Sequence, residues 1–465
     1  MENKLNKFHT NLFILVLLLG SFTMSISQSS ISTAYPTLMS YFKIDASTVQ
    51  WLTTGFMLIM CVMMPVSPWL LNNVKFKHLF LFILALFDVG TLIVVLAPNF
   101  PMMMLGRAME AVSVGILFPS YQSVMLYITP KEKRGSVMGF AGLVMGSALA
   151  SGPIISAIVL HFTTWRGLFI FFMLVISILF IVAIFTIKSI MPHKASQLDL
   201  FSVLLSLGFI GLLYVINMIG KTNVNLFTTI IILVLSIIAI IWFIYRQLNL
   251  PNPLLNLAVL KNFNYDLSVG LTAASYISLI VVTIIFPLYY QEILDVSKSM
   301  SGLALAPGAI FLSILNPFTG KLADKWGFKK VMLTGMLMIL FGWLLLVVLG
   351  RNTVQLLPMM LIAAIIEGGN AFVMMPAVTM GANSLDKDLI SHGTAFITTF
   401  RQILGSTGVL VATLIYTNIT NLKVGNGISY YLAQQSGFHV VFIVFFALEF
   451  IGLLMAMLLK NTKQK

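Results

Sequence analysis

Charge is scarce in this 465-residue chain: 9% of its residues are Asp, Glu, Lys or Arg, against about 25% in a typical soluble domain. The 14 acidic side chains are outnumbered by 27 basic ones, for a net charge of +13. Its single cysteine, Cys61, excludes an intrachain disulfide and leaves the redox compartment unread. Six histidines are scattered without metal-ligand spacing, so no metal is expected. No phosphate-binding glycine loop occurs, which removes the signature of an ATP-driven motor. Neither a cofactor nor an enzymatic activity is expected. The basic balance is compatible with nucleic acid, but the lysines sit in short segments between apolar runs. Topology explains them better, and no nucleic-acid partner is expected.

Hydrophobic residues make up 59% of the chain and the mean hydropathy is +1.00. Apolar runs near 20 residues recur from end to end, each long enough for a helix across a hydrocarbon layer of roughly 30 Å. A β-barrel would show alternating segments of about 10 residues instead. The expected class is an all-α polytopic membrane protein. Spans are placed at 12–35, 48–71, 78–97, 101–127, 136–160, 167–187, 199–219, 225–245, 266–290, 300–320, 331–349, 354–381, 393–417 and 438–459, fourteen in all. Lys4 and Lys7 before the apolar 12–26 resemble a signal peptide, but the polar-spotted continuation favours a retained first helix. With this count, 19 Lys and Arg residues fall on the face that holds both termini and 6 on the other, with Arg107 and Arg401 inside spans. Positive charge marks the cytoplasmic side, so both termini are expected there, and lipid is an expected partner.

Residues 320–330, GKLADKWGFKK, crowd five charges into eleven positions, and PWLLNNVKFKH at 68–78 is a weaker echo. Both follow an even-numbered span on the cytoplasmic face. The expected organisation is therefore a six-helix bundle at 1–190, an inserted helix pair at 191–250 and a second six-helix bundle at 251–465. Repeated halves around a midplane site are a common transporter architecture.

The second loop resembles the signature of the major facilitator superfamily. Gly320, Leu322, Ala323, Asp324, Gly327 and Lys329 match it, and Phe328 departs where a basic residue is usual. In the first copy Pro68, Asn72 and Lys75 replace the two glycines and the aspartate between them, while Leu70 and Lys77 remain. STVQWLTTGFML (47–58) and NPLLNLAVLKNF (252–263) resemble 14-helix drug:proton antiporters of the EmrB/QacA type. RAMEAVSVGILFP (107–119) resembles their fourth-helix signature, with Glu110 and Ala111 departing from it. GFAGLVMGSALASGPIISA (139–157) resembles the antiporter motif through Gly142, Gly146, Gly152 and Pro153. The chain is similar to lincomycin and multidrug exporters of Gram-positive bacteria. The resemblance implies proton-driven export of drug-like amphipathic or cationic small molecules across a bacterial cell membrane. A dedicated exporter of an endogenous metabolite or lipid, and a non-transporting membrane sensor, are the alternatives. The family's usual first-helix aspartate is Ser27 here, followed by Gln28, so that helix is polar but uncharged.

Asp324 is expected to latch the cytoplasmic side by accepting hydrogen bonds from a helix N-terminus or a nearby cation. Lys325, Lys329 and Lys330 could pair with it or with lipid headgroups. Intramembrane ionisable residues are functional candidates by default. They are Asp88, Arg107, Glu110, Glu367 and Glu449, with Arg401 somewhat nearer the cytoplasm. Glu110 and Glu367 each lie nine residues before a proline, Pro119 and Pro376, in helices that the repeat makes equivalent. The resemblance would put them on opposite cavity walls as proton or cation sites. Arg107, three residues from Glu110, shares its helical face. Asp88 and Glu449 are expected to make structural hydrogen bonds, and Arg401 to serve structure or gating.

Overall fold

The computed structural model describes residues 2–189, 197–218 and 224–460. The expected boundary at 190/191 and the charges Lys194, Lys221, Lys463 and Lys465 lie outside the described residues. In chain order the helices are α1 (Glu2–Ser30), α2 (Tyr35–Phe42), α3 (Ala46–Val49), α4 (Trp51–Asn73), α5 (Phe76–Leu96), α6 (Phe100–Ile128), α7 (Arg134–Phe162) and α8 (Trp165–Thr186). They continue with α9 (Leu200–Met218), α10 (Leu226–Asn249), α11 (Phe263–Glu292), α12 (Lys298–Leu303), α13 (Ala306–Trp326), α14 (Phe328–Leu349), α15 (Leu356–Asn383), α16 (Ile390–Gly425) and α17 (Tyr430–Leu458). Among the described residues there is no strand.

Twelve of the helical stretches among the described residues are long and apolar enough to cross a membrane, and Leu200–Ile216 is a shorter apolar helix. The count of twelve among the described residues does not confirm the fourteen expected from the sequence. Asparagines start several helices: Asn99 accepts from the Met102 amide, and Asn262 from that of Tyr265. Such caps satisfy amides that have no partner within the helix. Gly327, at φ 91°, makes the turn between α13 and α14, a conformation that L side chains avoid.

One packing plan occurs twice. In the first part α6 packs on α4 and α5, α8 on α5, and α1 on α7 and α8. In the second part α15 packs on α13 and α14, α17 on α14, and α11 on α16 and α17. The two sets meet chiefly along α7 and α13, and also along α4 and α16. Large apolar side chains such as Leu96, Phe185, Phe318 and Leu361 remain exposed around the bundle, as a lipid-facing surface requires.

The pair α9–α10 is attached through α9, which lies against α4 and α16. Trp51 stacks on Tyr214 there. A cavity of about 40 Å³ remains between Cys61, Leu213 and Gln402. The pair is tied at one end by Arg246, whose Nε and Nη2 donate to Asp199 at 2.6 and 3.0 Å. Those hydrogen bonds hold the Asp199 carboxyl at about 2. A depressed carboxylate contributes stability above its unfolded value of about 3.9 and loses it as pH falls through the folded value. The difference in melting temperature between the wild type and Asp199→Asn is therefore expected to stay constant from pH 5 to 8. Thermal unfolding at several pH values checks this; a difference that varies across the window would assign the tie to other groups.

Candidate functional site

Four glycines spaced along α7 let it approach α13 closely. A Cβ on Gly135 would strike the Gly320 carbonyl and Asp324, and one on Gly139 or Gly142 would strike Asn316. At Gly146 the nearest atom is Ser313 Oγ, at 3.0 Å. Gly320 in turn lies against the Gly135 backbone. Further along, Gly152 changes partner and lies on Ser29 of α1, whose Oγ donates to the Ala148 carbonyl at 3.1 Å. Pro153 lies outside the residues whose side chains are described.

This approach delivers Asp324 to the first turn of α7. The Gly135 amide donates to Oδ1 at 2.8 Å; the Ser136 amide and Oγ donate to Oδ2 at 2.7 and 2.5 Å. The partial positive charge of a helix N-terminus and charge-assisted hydrogen bonds act together here. Beside this contact, Arg134 donates to the Thr129 carbonyl and, at 2.7 Å, to Asn383 Oδ1. Ser123 and Thr394 join α6 to α16 by a hydrogen bond. The charged loop at 320–330 and the glycines of α7, separate in the sequence, are thus two sides of one interface. Lys329 acts at a different contact, where its Nζ donates to the Met457 carbonyl at 2.8 Å and fastens α14 to the end of α17. Phe328, in place of the usual basic residue, is buried in the apolar core of the second half.

Arg107 and Glu110 form an ion pair on α6, Nη1 to Oε2 at 2.5 Å. Thr91 of α5 donates to Oε1 at 2.7 Å, and the guanidinium lies 4.3 Å from the centre of the Phe56 ring. Both carboxylate oxygens of Glu110 are therefore occupied. Close packing of Gly90 on Gly106 brings α5 and α6 together at this point. Glu367 differs. It packs against Gly308 of α13, and its Oε2 is buried without a hydrogen-bond partner among the described residues. The two glutamates lie at similar depths, ten residues into α6 and eleven into α15, but face non-equivalent neighbours. Matched spacing to a proline sets depth along a helix and leaves open which neighbour a side chain meets.

Asp88 accepts from Ser177 at 2.7 Å, which links α5 to α8. For Glu449 the expectation fails: both oxygens are buried without a partner among the described residues. Nearby, Gly452 packs on Met336 and Ala274, where α17 meets α14 and α11. Ser27 is buried with its Oγ unpartnered among the described residues, and Gln28 beside it is half-buried. Arg401 of α16 is buried over Tyr276 of α11, 5.4 Å from the ring centre. Tyr276 donates to Gln402 at 2.9 Å. The polar residues Tyr121, Gln122, Tyr276 and Gln402 were missed by sequence reasoning; the signal available was a polar pair, Tyr121–Gln122, just past Pro119 in an apolar helix.

The sequence model of the Major Facilitator Superfamily matches residues 17–284 and 268–465. An uncharacterized MFS-type transporter of Bacillus subtilis, YcnB, is 32% identical over 464 residues, covering 98% of this chain and 96% of its own. The lincomycin resistance protein LmrB of Listeria monocytogenes is 32% identical over 401 residues, covering 86% of this chain and 84% of its own. Among solved structures, the proton:xylose symporter XylE superposes with a TM-score of 0.69 at 13% identity, over 99% of this chain and 98% of its own, a likeness of fold alone.

Proposed function

The chain belongs to the major facilitator superfamily, and from that premise we propose that it is a proton-coupled exporter of drug-like amphipathic or cationic compounds. It is a multi-pass membrane transporter and not an enzyme. Fourteen spans, both termini in the cytoplasm, and two six-helix halves at 1–190 and 251–465 around an inserted pair complete the proposal. The names of the lincomycin resistance relatives favour drug export.

The observation that carries the reading is the contact of Asp324 with the first turn of α7, next to the ties Ser123–Thr394 and Arg134–Asn383. All three join the first half to the second, and the basic-loop rule assigns this end to the cytoplasm. An exporter must close that end while it releases substrate outside. Of the two matched glutamates, Glu367, in the interior with an unpartnered oxygen, is the one that can exchange a proton without breaking an ion pair. Glu110 would first have to leave Arg107 and Thr91.

Everted membrane vesicles test the reading. Ethidium and lincomycin are expected to accumulate when an inward-acid proton gradient is imposed and to leak back when a protonophore collapses it. Accumulation that ignores the gradient would remove proton coupling. Movement of one native metabolite or lipid and no dye would favour the dedicated exporter, and binding without flux would favour the sensor.

A further inference from the structure

Among the described residues three arginines are buried in the bundle, and two of them have acceptors. Arg107 has the Glu110 carboxylate. Arg134 has the Thr129 carbonyl and Asn383. Arg401 is as buried, at 3% exposure, yet no carboxylate pairs with it among the described residues and its Nη1 has no hydrogen-bond partner there. A buried guanidinium cannot shed its charge by losing a proton, because it stays protonated in proteins. The face of Tyr276 offsets part of the desolvation, but a ring quadrupole does not replace an anion.

Tyr276, from the second half, packs against the buried cluster that contains Tyr121 of the first half. Tyr121 donates to the Met145 sulfur at 3.0 Å and receives the Gln122 amide at 3.3 Å. Gln122 Oε1 is buried without a partner among the described residues. The acids of the interior are engaged elsewhere or lie on other helices: Glu110 is held by Arg107 and Thr91, and Glu367 packs on Gly308 of α13.

We propose that Arg401 binds the anionic head of the transported compound, a carboxylate or phosphate oxyanion, with the ring of Tyr276 against its apolar body. A planar guanidinium fork presents paired donors that fit a two-oxygen anion. The proposal rests on the exporter reading and extends its substrates to amphipaths that carry an acidic group.

The test uses the purified full-length protein and four probes with one ring system: 2-naphthoate, 2-naphthyl phosphate, 2-naphthamide and a 2-naphthyl trimethylammonium salt. Ligand-dependent thermal shifts give the affinities. The two anions are expected to bind wild type more tightly than the amide or the cation, and the tighter anion identifies a carboxylic acid or a phosphate ester as the substrate type. Arg401→Gln should weaken the anions by about tenfold or more and leave the amide unchanged. Arg401→Lys, which keeps the charge and loses the fork, should fall between them and supplies the reading if the glutamine variant does not fold. No preference for anions in wild type, or equal anion affinity in a folded Arg401 variant, would overturn the proposal. Proton-driven ethidium transport by the wild type in vesicles separates the two questions. If it persists beside Arg401-independent naphthoate binding, only this inference falls. If it is absent, the exporter reading falls.

Discussion

Glu367→Gln is expected to cost about tenfold or more in proton-driven accumulation, equivalent to about 1.4 kcal/mol at the rate-limiting barrier, while the protein folds normally. Glutamine keeps the size of the side chain and removes its exchangeable proton. Because Glu367 has no ion-pair partner among the described residues, the change leaves no cation stranded. Glu110→Gln should behave differently. It leaves Arg107 buried beside a neutral amide, and removing one member of a buried pair costs roughly 3–5 kcal/mol. Its main phenotype is expected to be lower expression and melting temperature, with coupling retained per folded molecule. Glu449→Gln is the control: neither oxygen has a partner to lose among the described residues, so stability and transport should stay near wild type. Vesicle transport corrected for expression, with melting temperatures of the purified proteins, distinguishes the three. Full proton-coupled transport by a folded Glu367→Gln variant would remove this carboxylate from the mechanism and direct attention to Asp88.

Asp324→Ala is expected to slow turnover severely while substrate affinity changes little. The substitution removes an acceptor of three hydrogen bonds, from the Gly135 amide, the Ser136 amide and Ser136 Oγ. Hydrogen bonds to a charged group contribute about 1.5–3 kcal/mol each. Loss of even one would shift the balance between closed and open states by roughly tenfold or more. Gly320→Val tests the same contact by another route, because its Cβ would run into the Gly135 backbone, which cannot move aside as a flexible side chain can. Both variants should favour the state with the cytoplasmic end open. Cysteine cross-linking between positions 123 and 394, whose side chains hydrogen-bond across the same end, reads this: yield should fall in both variants. Normal turnover with unchanged cross-linking would show that this contact does not gate transport.

Much of this protein is legible in its sequence. Apolar runs and scarce charge dictate an all-helical membrane chain, because lipid offers the backbone no hydrogen bonds and helices satisfy their own. The loops at 68–78 and 320–330 reveal the repeat, and the same packing plan appears in both parts. The Arg107–Glu110 pair was legible because its members share one helix face, three residues apart. What the sequence could not supply is the identity of partners across helices. Asp324 meets residues 189 and 188 positions earlier in the chain, and only packing joins the acidic loop to the glycines of α7. Spacing to a proline placed Glu110 and Glu367 at similar depth, yet rotation about the helix axis and the neighbouring helix gave one two partners and the other an unpaired oxygen. The same holds for Glu449, expected to find a donor and left with both oxygens unpartnered among the described residues, and for Arg401, which meets Tyr276 and, among the described residues, no carboxylate. Helix periodicity is encoded within a few residues. The partner of a buried charge is set by contacts that fold together from distant segments, and that is what the tertiary structure decided.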